Sequence, residues 1–254
     1  MPTVFITGVK NTGFCIAEKF ASEGFDVAIS TRKLSDVEPL AEMLAKKYNI
    51  KARGYSLEMS DVDDIKRVFS CIKEDFGSLD TFVANAANLG VEMDFLTADE
   101  DEFSSVVDVN LKGSFFCAQQ AALMMKEKKS GSIVFMSSVH SHQCIFGRSL
   151  YTATKGGINA LMRALAIELA QYGIRSNCVI AGAIRTDRWD NLTQEQITEK
   201  RANWPLGLES TGEDIANGVF YLGTDLSKTV TGTELTIDSG ILISLLPYKE
   251  AKNK

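Results

Sequence analysis

Tyr151 and Lys155, in the stretch "SLYTATKGG", stand four residues apart. On a helix that spacing puts both side chains on one face, where an ammonium can change the acidity of a phenol. A free phenol titrates near pH ~10, too high to exchange protons readily at neutrality, so a neighbouring cation would turn Tyr151 into an acid/base. Ser138 precedes the tyrosine by thirteen positions, and a hydroxyl there can hold a reacting oxygen beside the phenol. An ordinary helix also carries such pairs, so the surrounding elements have to decide.

"FITGVKNTGFCIAEKF" reads as a strand, a turn bracketed by Gly8 and Gly13, and a helix. That order aims backbone N–H groups and the positive helix end at a pyrophosphate. Lys10, Asn11, Thr12 and Phe14 complete the candidate phosphate loop. Further β-branched runs ("DVAIS", "KARGYSL", "TFVANA", "GSIVFMSS", "IRSNCVI") alternate with helical patterns over 13–23, 36–47, from Ser60 onward, 101–128 and 150–171. The alternation predicts an α/β fold: a doubly wound parallel sheet with helices on both faces. Ligands bind such sheets beyond the carboxyl ends of the strands. Those ends carry residues 8–13, 30–33, 57–59, 85–89, 137–143 and 181–187, so Ser138 and the glycine loop share a rim.

The 254 residues contain no linker-like stretch or repeat, which predicts one domain over 1–254. A net charge of −6 without any run of Lys or Arg argues against a nucleic-acid partner. An apolar run almost directly after Met1 and the lack of a membrane-length apolar stretch lead to the expectation of a cytoplasmic protein with no membrane partner. Cys15, Cys71, Cys117, Cys144 and Cys178 are odd in number and scattered, the pattern of reduced thiols.

With Gly8 and Gly13, "ANAA" at 84–87, Asn110 in "VDVNLKG", Ser138, Tyr151 and Lys155, the chain resembles the short-chain dehydrogenase/reductase family over nearly its full length. Gly182, Ile184 and Thr186 in "VIAGAIRTD", and "VTGTELTIDSG" as a last strand, extend the likeness. The resemblance implies a Rossmann-like single domain, a nicotinamide cofactor, and interconversion of a small-molecule ketone and a secondary alcohol. It implies Tyr151 as acid/base, Ser138 holding the substrate oxygen, and Lys155 bonding the nicotinamide ribose. Asn110 would complete a water-linked proton path to that lysine, and the family's dimers or tetramers make a homo-oligomer the expectation. The chain departs from the family pattern in one extra residue between Gly8 and Gly13, in Cys15 where a third glycine is usual, and in Ala84, Ala87 and Ala181.

An NAD site wants a carboxylate at the end of the second strand, but "AISTRK" supplies Thr31, Arg32 and Lys33. Arg32, with Lys33 or Lys10, would pair with a 2′-phosphate, so NADP(H) is the expected cofactor. Leu57 and Glu58 at the third strand end, and Asn85 and Ala86 at the fourth, are placed against the cofactor; Glu58 could instead cap the helix that follows.

His140 and His142 in "VHSHQCIFGRSL" are expected on one wall of the substrate pocket, and residues 187–210, with Trp189 and Trp204, form the other as a lid. Alternating His140, His142 and Cys144 fit zinc ligation in spacing only, and no metal is expected. An acyl-carrier-protein thioester, a steroid ketone and a sugar ketone all stay open as substrates. Two other functions are carried forward. One is a noncatalytic NADP-binding protein of the same fold; the other is an enoyl-thioester reductase, whose branch of the family has longer glycine loops but a wider Tyr–Lys spacing. The end of the chain, "LLPYKEAKNK", is expected to be a mobile polar tail.

Overall fold

The computed structural model describes residues 1–245 apart from the side chain of Arg188, so nearly all of the expected tail lies outside the described residues. Seven strands form one wholly parallel sheet in the order β3-β2-β1-β4-β5-β6-β7. They are β1 (Thr3–Thr7), β2 (Asp26–Thr31), β3 (Ala52–Ser56), β4 (Thr81–Ala84), β5 (Gly131–Ser138), β6 (Ile174–Ala181) and β7 (Glu234–Ile237). The expected doubly wound architecture is therefore observed, and the order reverses between β1 and β4. A crevice at such a reversal is where this architecture binds ligands.

Period-two alternation divides each central strand between two cores. Phe5 packs with Phe69 and Phe82 on one face, while Val4 and Ile6 join Ile16, Phe20 and Ile29 on the other. The first face is covered by α3 (Val62–Phe76), α5 (Gly113–Lys128) and α6 (Ser149–Glu168). The second is covered by α1 (Thr12–Ser22), α2 (Leu34–Tyr48) and α8 (Gly212–Gly223). Each fully buried Phe contributes about 2–3 kcal/mol of transfer free energy, so both faces are strongly specified.

Boundaries differ from the sequence reading at several places. The helix expected to open at Ser60 is capped by Asp61, whose carboxylate accepts from the amides of Asp63 and Asp64. The helical run through 101–128 is not uniform. α4 (Glu100–Val107) and α5 are joined by one π turn over Asp108–Lys112, in which the Gly113 amide reaches back to the Asp108 carbonyl. The helix expected to reach Gln171 ends at Glu168 and is followed by a tight turn over Ala170–Tyr172. The expected lid region contains a short turn, Asp187–Trp189, and α7 (Gln194–Ala202). Among the described residues, no helix is long and apolar enough to cross a membrane.

Candidate active site

The loop after β1 turns at Gly8, where φ is +72°. A Cβ there would stand 2.7 Å from the Ala86 Cα, and one on Gly13 would meet the Gly8 carbonyl and the Asn85 amide. Both positions thus require glycine for close backbone approach. Asn85 donates its amide to the Gly8 carbonyl at 2.7 Å, and the Asn85 and Ala86 backbone amides donate to Thr7 Oγ1. The β4 end therefore holds the turn from beneath. The first turn of α1 carries no acidic residue and its N-cap no side-chain hydrogen bond, leaving the positive end open to an anion. These features fit a pyrophosphate.

Cys15, where a third glycine is usual, lies against α8. Its Sγ would lie 2.5 Å from a Cβ on Gly212, so the close approach is between α1 and α8 and the glycine is supplied by α8. The extra loop residue is taken up at Asn11, which adopts φ +47° and donates to Asp187 at 3.3 Å.

At the β2 end, Arg32 and Lys33 are exposed, as is Lys10, and none has an ion-pair partner among the described residues. The Arg32 carbonyl accepts from Ser56 Oγ, which fixes the backbone of this corner to β3. Leu57 is buried beside it. Glu58 accepts from the Ser60 amide at 3.1 Å and hydroxyl at 2.8 Å, within the turn before α3. Its carboxylate thus lies in that turn and not at the helix end, which Asp61 caps.

α6 brings the central residues together. Tyr151 and Lys155 are both buried, and the Lys155 Nζ stands 5.5 Å from the centre of the phenol ring. Nζ donates to the Met136 carbonyl of β5 at 2.6 Å. Burial pushes this ammonium down to about 8. Ser138 ends β5, and its Oγ accepts from the His140 amide at 3.2 Å, while the His140 ring lies edge-on to Tyr151 at 6.0 Å. Serine and phenol therefore share His140 as a neighbour.

Asn110 sits in the π turn with its carboxamide fully engaged. Oδ1 accepts from the Asn88 amide at 2.6 Å, and Nδ2 donates to the Asn88 carbonyl and to Thr154 Oγ1. Thr154 in turn donates to the Tyr151 carbonyl. The residue thus ties the loop after β4 to the turn of α6 that carries Tyr151, and π turns recur at functional sites. Gly182 passes so close to Asp238 that a Cβ would meet its Cα at 2.6 Å, and its amide donates to the Ile237 carbonyl. Ile184 forms an isolated parallel bridge with Ser210, and Thr186 precedes the short turn 187–189.

Of the expected substrate contacts, His140 reaches the phenol and His142 does not. His142 Nε2 lies 2.7 Å from Glu234 of β7, whose other oxygen accepts from Arg163 at 2.7 Å. That contact holds the imidazole at β7. Trp189 is buried against Trp204, with ring centres 6.0 Å apart. Among the described residues no three His, Cys, Asp or Glu side chains converge as metal ligands.

Sequence reasoning missed Glu209. Buried between the two segments, it accepts from Arg201 at 2.7 and 2.8 Å and from Arg185 at 3.4 Å. The Arg201 hydrogen bonds hold its carboxyl down at about 2. The available signal was a lone acid inside the apolar "PLGLES", with arginines on the flanking segments.

A family model described as "Enoyl-(Acyl carrier protein) reductase" matches residues 8–242. Sorbose reductase of Candida albicans is 33% identical over 234 residues, covering 90% of this chain and 82% of that protein. A 3-oxoacyl-[acyl-carrier-protein] reductase of Staphylococcus aureus is 33% identical over 247 residues, covering 94% and 97%. A solved short-chain type dehydrogenase/reductase from Mycobacterium marinum is 27% identical, with a TM-score of 0.88 over 96% of both chains. Because these matches run from the glycine loop after β1 to beyond β7, the chain belongs to the short-chain dehydrogenase/reductase family of oxidoreductases.

Proposed function

We propose that the protein interconverts a ketone and a secondary alcohol with NADP(H), using Tyr151 as the acid/base. The observation that carries this reading is the buried Lys155 ammonium against the face of Tyr151, anchored to the same strand that ends in Ser138. NADP(H), when bound, supplies or accepts the hydride. Gly8, Asn11, Thr12, Gly13 and Phe14 would hold its pyrophosphate, with Leu57, Asn85, Ala86, Gly182, Ile184 and Thr186 around the rest. Arg32 and Lys33 at the β2 rim and Lys10 in the loop after β1, cations without an ion pair among the described residues, favour a 2′-phosphate over a bare ribose. Ser138 would hold the substrate oxygen while Tyr151 gives its proton to it, or removes it in the oxidising direction. Lys155 makes the phenol a stronger acid and bonds the ribose, and Asn110 is assigned to replenishing the proton through water.

His140 is assigned to the substrate, Trp189 to packing within a lid over 187–210, and the protein to the cytoplasm as a dimer or tetramer. Support for the location lies in the odd number and scattered placement of the five cysteines in the sequence. A second reading, enoyl-thioester reduction, draws on the longer glycine loop and the description of the matching family model. The four-residue Tyr–Lys spacing favours the ketone.

The test is a screen of ketones and enoyl thioesters followed by oxidation of NADPH. Turnover of a ketone is expected, with a lower Michaelis constant for NADPH than for NADH. Tyr151→Phe should reduce kcat by about 10²–10⁴-fold while NADPH still binds. Unchanged turnover in that variant would overturn the role of Tyr151, and a preference for NADH would overturn the cofactor. Cofactor binding without any turnover would favour the noncatalytic alternative, and alkene reduction alone the enoyl reading.

A further inference from the structure

Polar residues recur on α6 at every fourth position: Tyr151, Lys155, Asn159 and Arg163. Such a series keeps near one face of the helix. Tyr151 and Lys155 belong to the proposed chemistry, and Arg163 holds Glu234 at the periphery. Asn159 lies between them, buried, with no part in the mechanism above.

Its carboxamide grips both sides of Ser138. Oδ1 accepts from the Ser137 hydroxyl at 2.6 Å, and Nδ2 donates to Ser141 Oγ at 3.0 Å. Ser141 Oγ passes its own hydrogen to the Ser138 carbonyl at 2.6 Å. The remaining contacts are weaker: Cys178 Sγ lies 3.9 Å from Oδ1, and His142 Nε2 is 3.4 Å from Nδ2. The tight turn after β5 is thereby tied on both sides of Ser138 to the helix that carries Tyr151 and Lys155.

We infer that Asn159 is a positioning residue that sets the Ser138 hydroxyl against the Tyr151 phenol, acting through Ser137 and Ser141. Ser138 is the last residue of β5, where the ladder to β6 stops at Ala181 and no further strand pairing fixes the chain. A side chain rooted in the catalytic helix can therefore set the relative placement of the two hydroxyls directly. Placement errors of about 1 Å cost on the order of 100-fold in rate.

This inference rests on the proposed role of Ser138, and a double-mutant cycle separates the two. Asn159→Ala should lower kcat for the ketone found in the screen by about 10–100-fold, leaving the Michaelis constant for NADPH unchanged. Ser141→Ala, on a partly exposed hydroxyl, should act in the same direction and more weakly; it carries the test if Asn159→Ala does not fold. In a Ser138→Ala background the Asn159 or Ser141 substitution should cost nothing further, because the group being positioned is gone. Full additivity in the cycle, or a crystal structure of the folded variant with Ser138 Oγ undisplaced, would overturn the inference while leaving the catalytic reading intact. If Ser138→Ala alone leaves turnover unchanged, the role of Ser138 falls and the inference falls with it.

Discussion

Lys155 shows how one residue's burial becomes a pH dependence. Enclosure between α6 and β5 takes its ammonium down to about 8 from an ordinary lysine value of 10.5. Below about 8 it carries the charge that strengthens the phenol as an acid; above it the charge is lost. Ketone reduction should therefore fall as pH rises through about 8, measured as the single-turnover rate of NADPH oxidation, and Lys155→Met should be slow without that limb. A wild-type rate flat to about pH 9 would contradict the assignment. Stability runs the other way. Between about 8 and 10.5 the unfolded chain binds the proton that the folded chain has released, so stability rises with pH across that window. Cys178, beside the lysine, is pushed up by burial to about 12 and stays a neutral thiol.

Pairs of elements, rather than single residues, explain the departures from the family pattern. α1 and α8 approach closely at Cys15 and Gly212, at the position where the family usually has a third glycine. Gly212→Ala places a methyl 2.5 Å from the Cys15 sulfur and should destabilise by about 1–3 kcal/mol as overpacking. Cys15→Gly should relieve much of that cost, so chemical denaturation of the two single variants and the double should show coupling. Strict additivity would mean that the helices part without strain. Glu209 does comparable work for the expected lid. It joins Arg201 of α7 to Arg185, while the 184–210 bridge fixes the same segment to the β6 end. Because its carboxyl is held at about 2, the clamp is fully formed above its ordinary value near 4.5 and is lost only as pH falls toward 2.

At the scale of the molecule, large apolar side chains stay exposed on three helices. Phe103 of α4, Phe115 and Leu123 of α5, and Ile167 of α6 are between 43% and 81% exposed. Burying such side chains against a second copy fits the proposed oligomer. Sedimentation should give a multiple of the 27.8 kDa chain, and Phe115→Asp should lower it; a monomer at micromolar concentration would contradict the assembly. The fold was legible because parallel β/α units impose two different periodicities in alternation, and the β5 segment "GSIVFMSS" coincides with the observed strand. The proposed set of Ser138, Tyr151 and Lys155 was legible as a cluster because a four-residue helical spacing and a strand end are local facts. The π turn at Asp108–Lys112 was not, because Asn110 makes its bonds to Asn88 and Thr154, 22 and 44 residues away. His142 turned to Glu234, 92 residues on, for the same reason. The sequence by itself determined the alternation of strands and helices and which strand-end residues reach the rim. Only the tertiary structure decided what each polar side chain bonds once there, because a buried donor or acceptor must be satisfied by whatever group the packing brings to it.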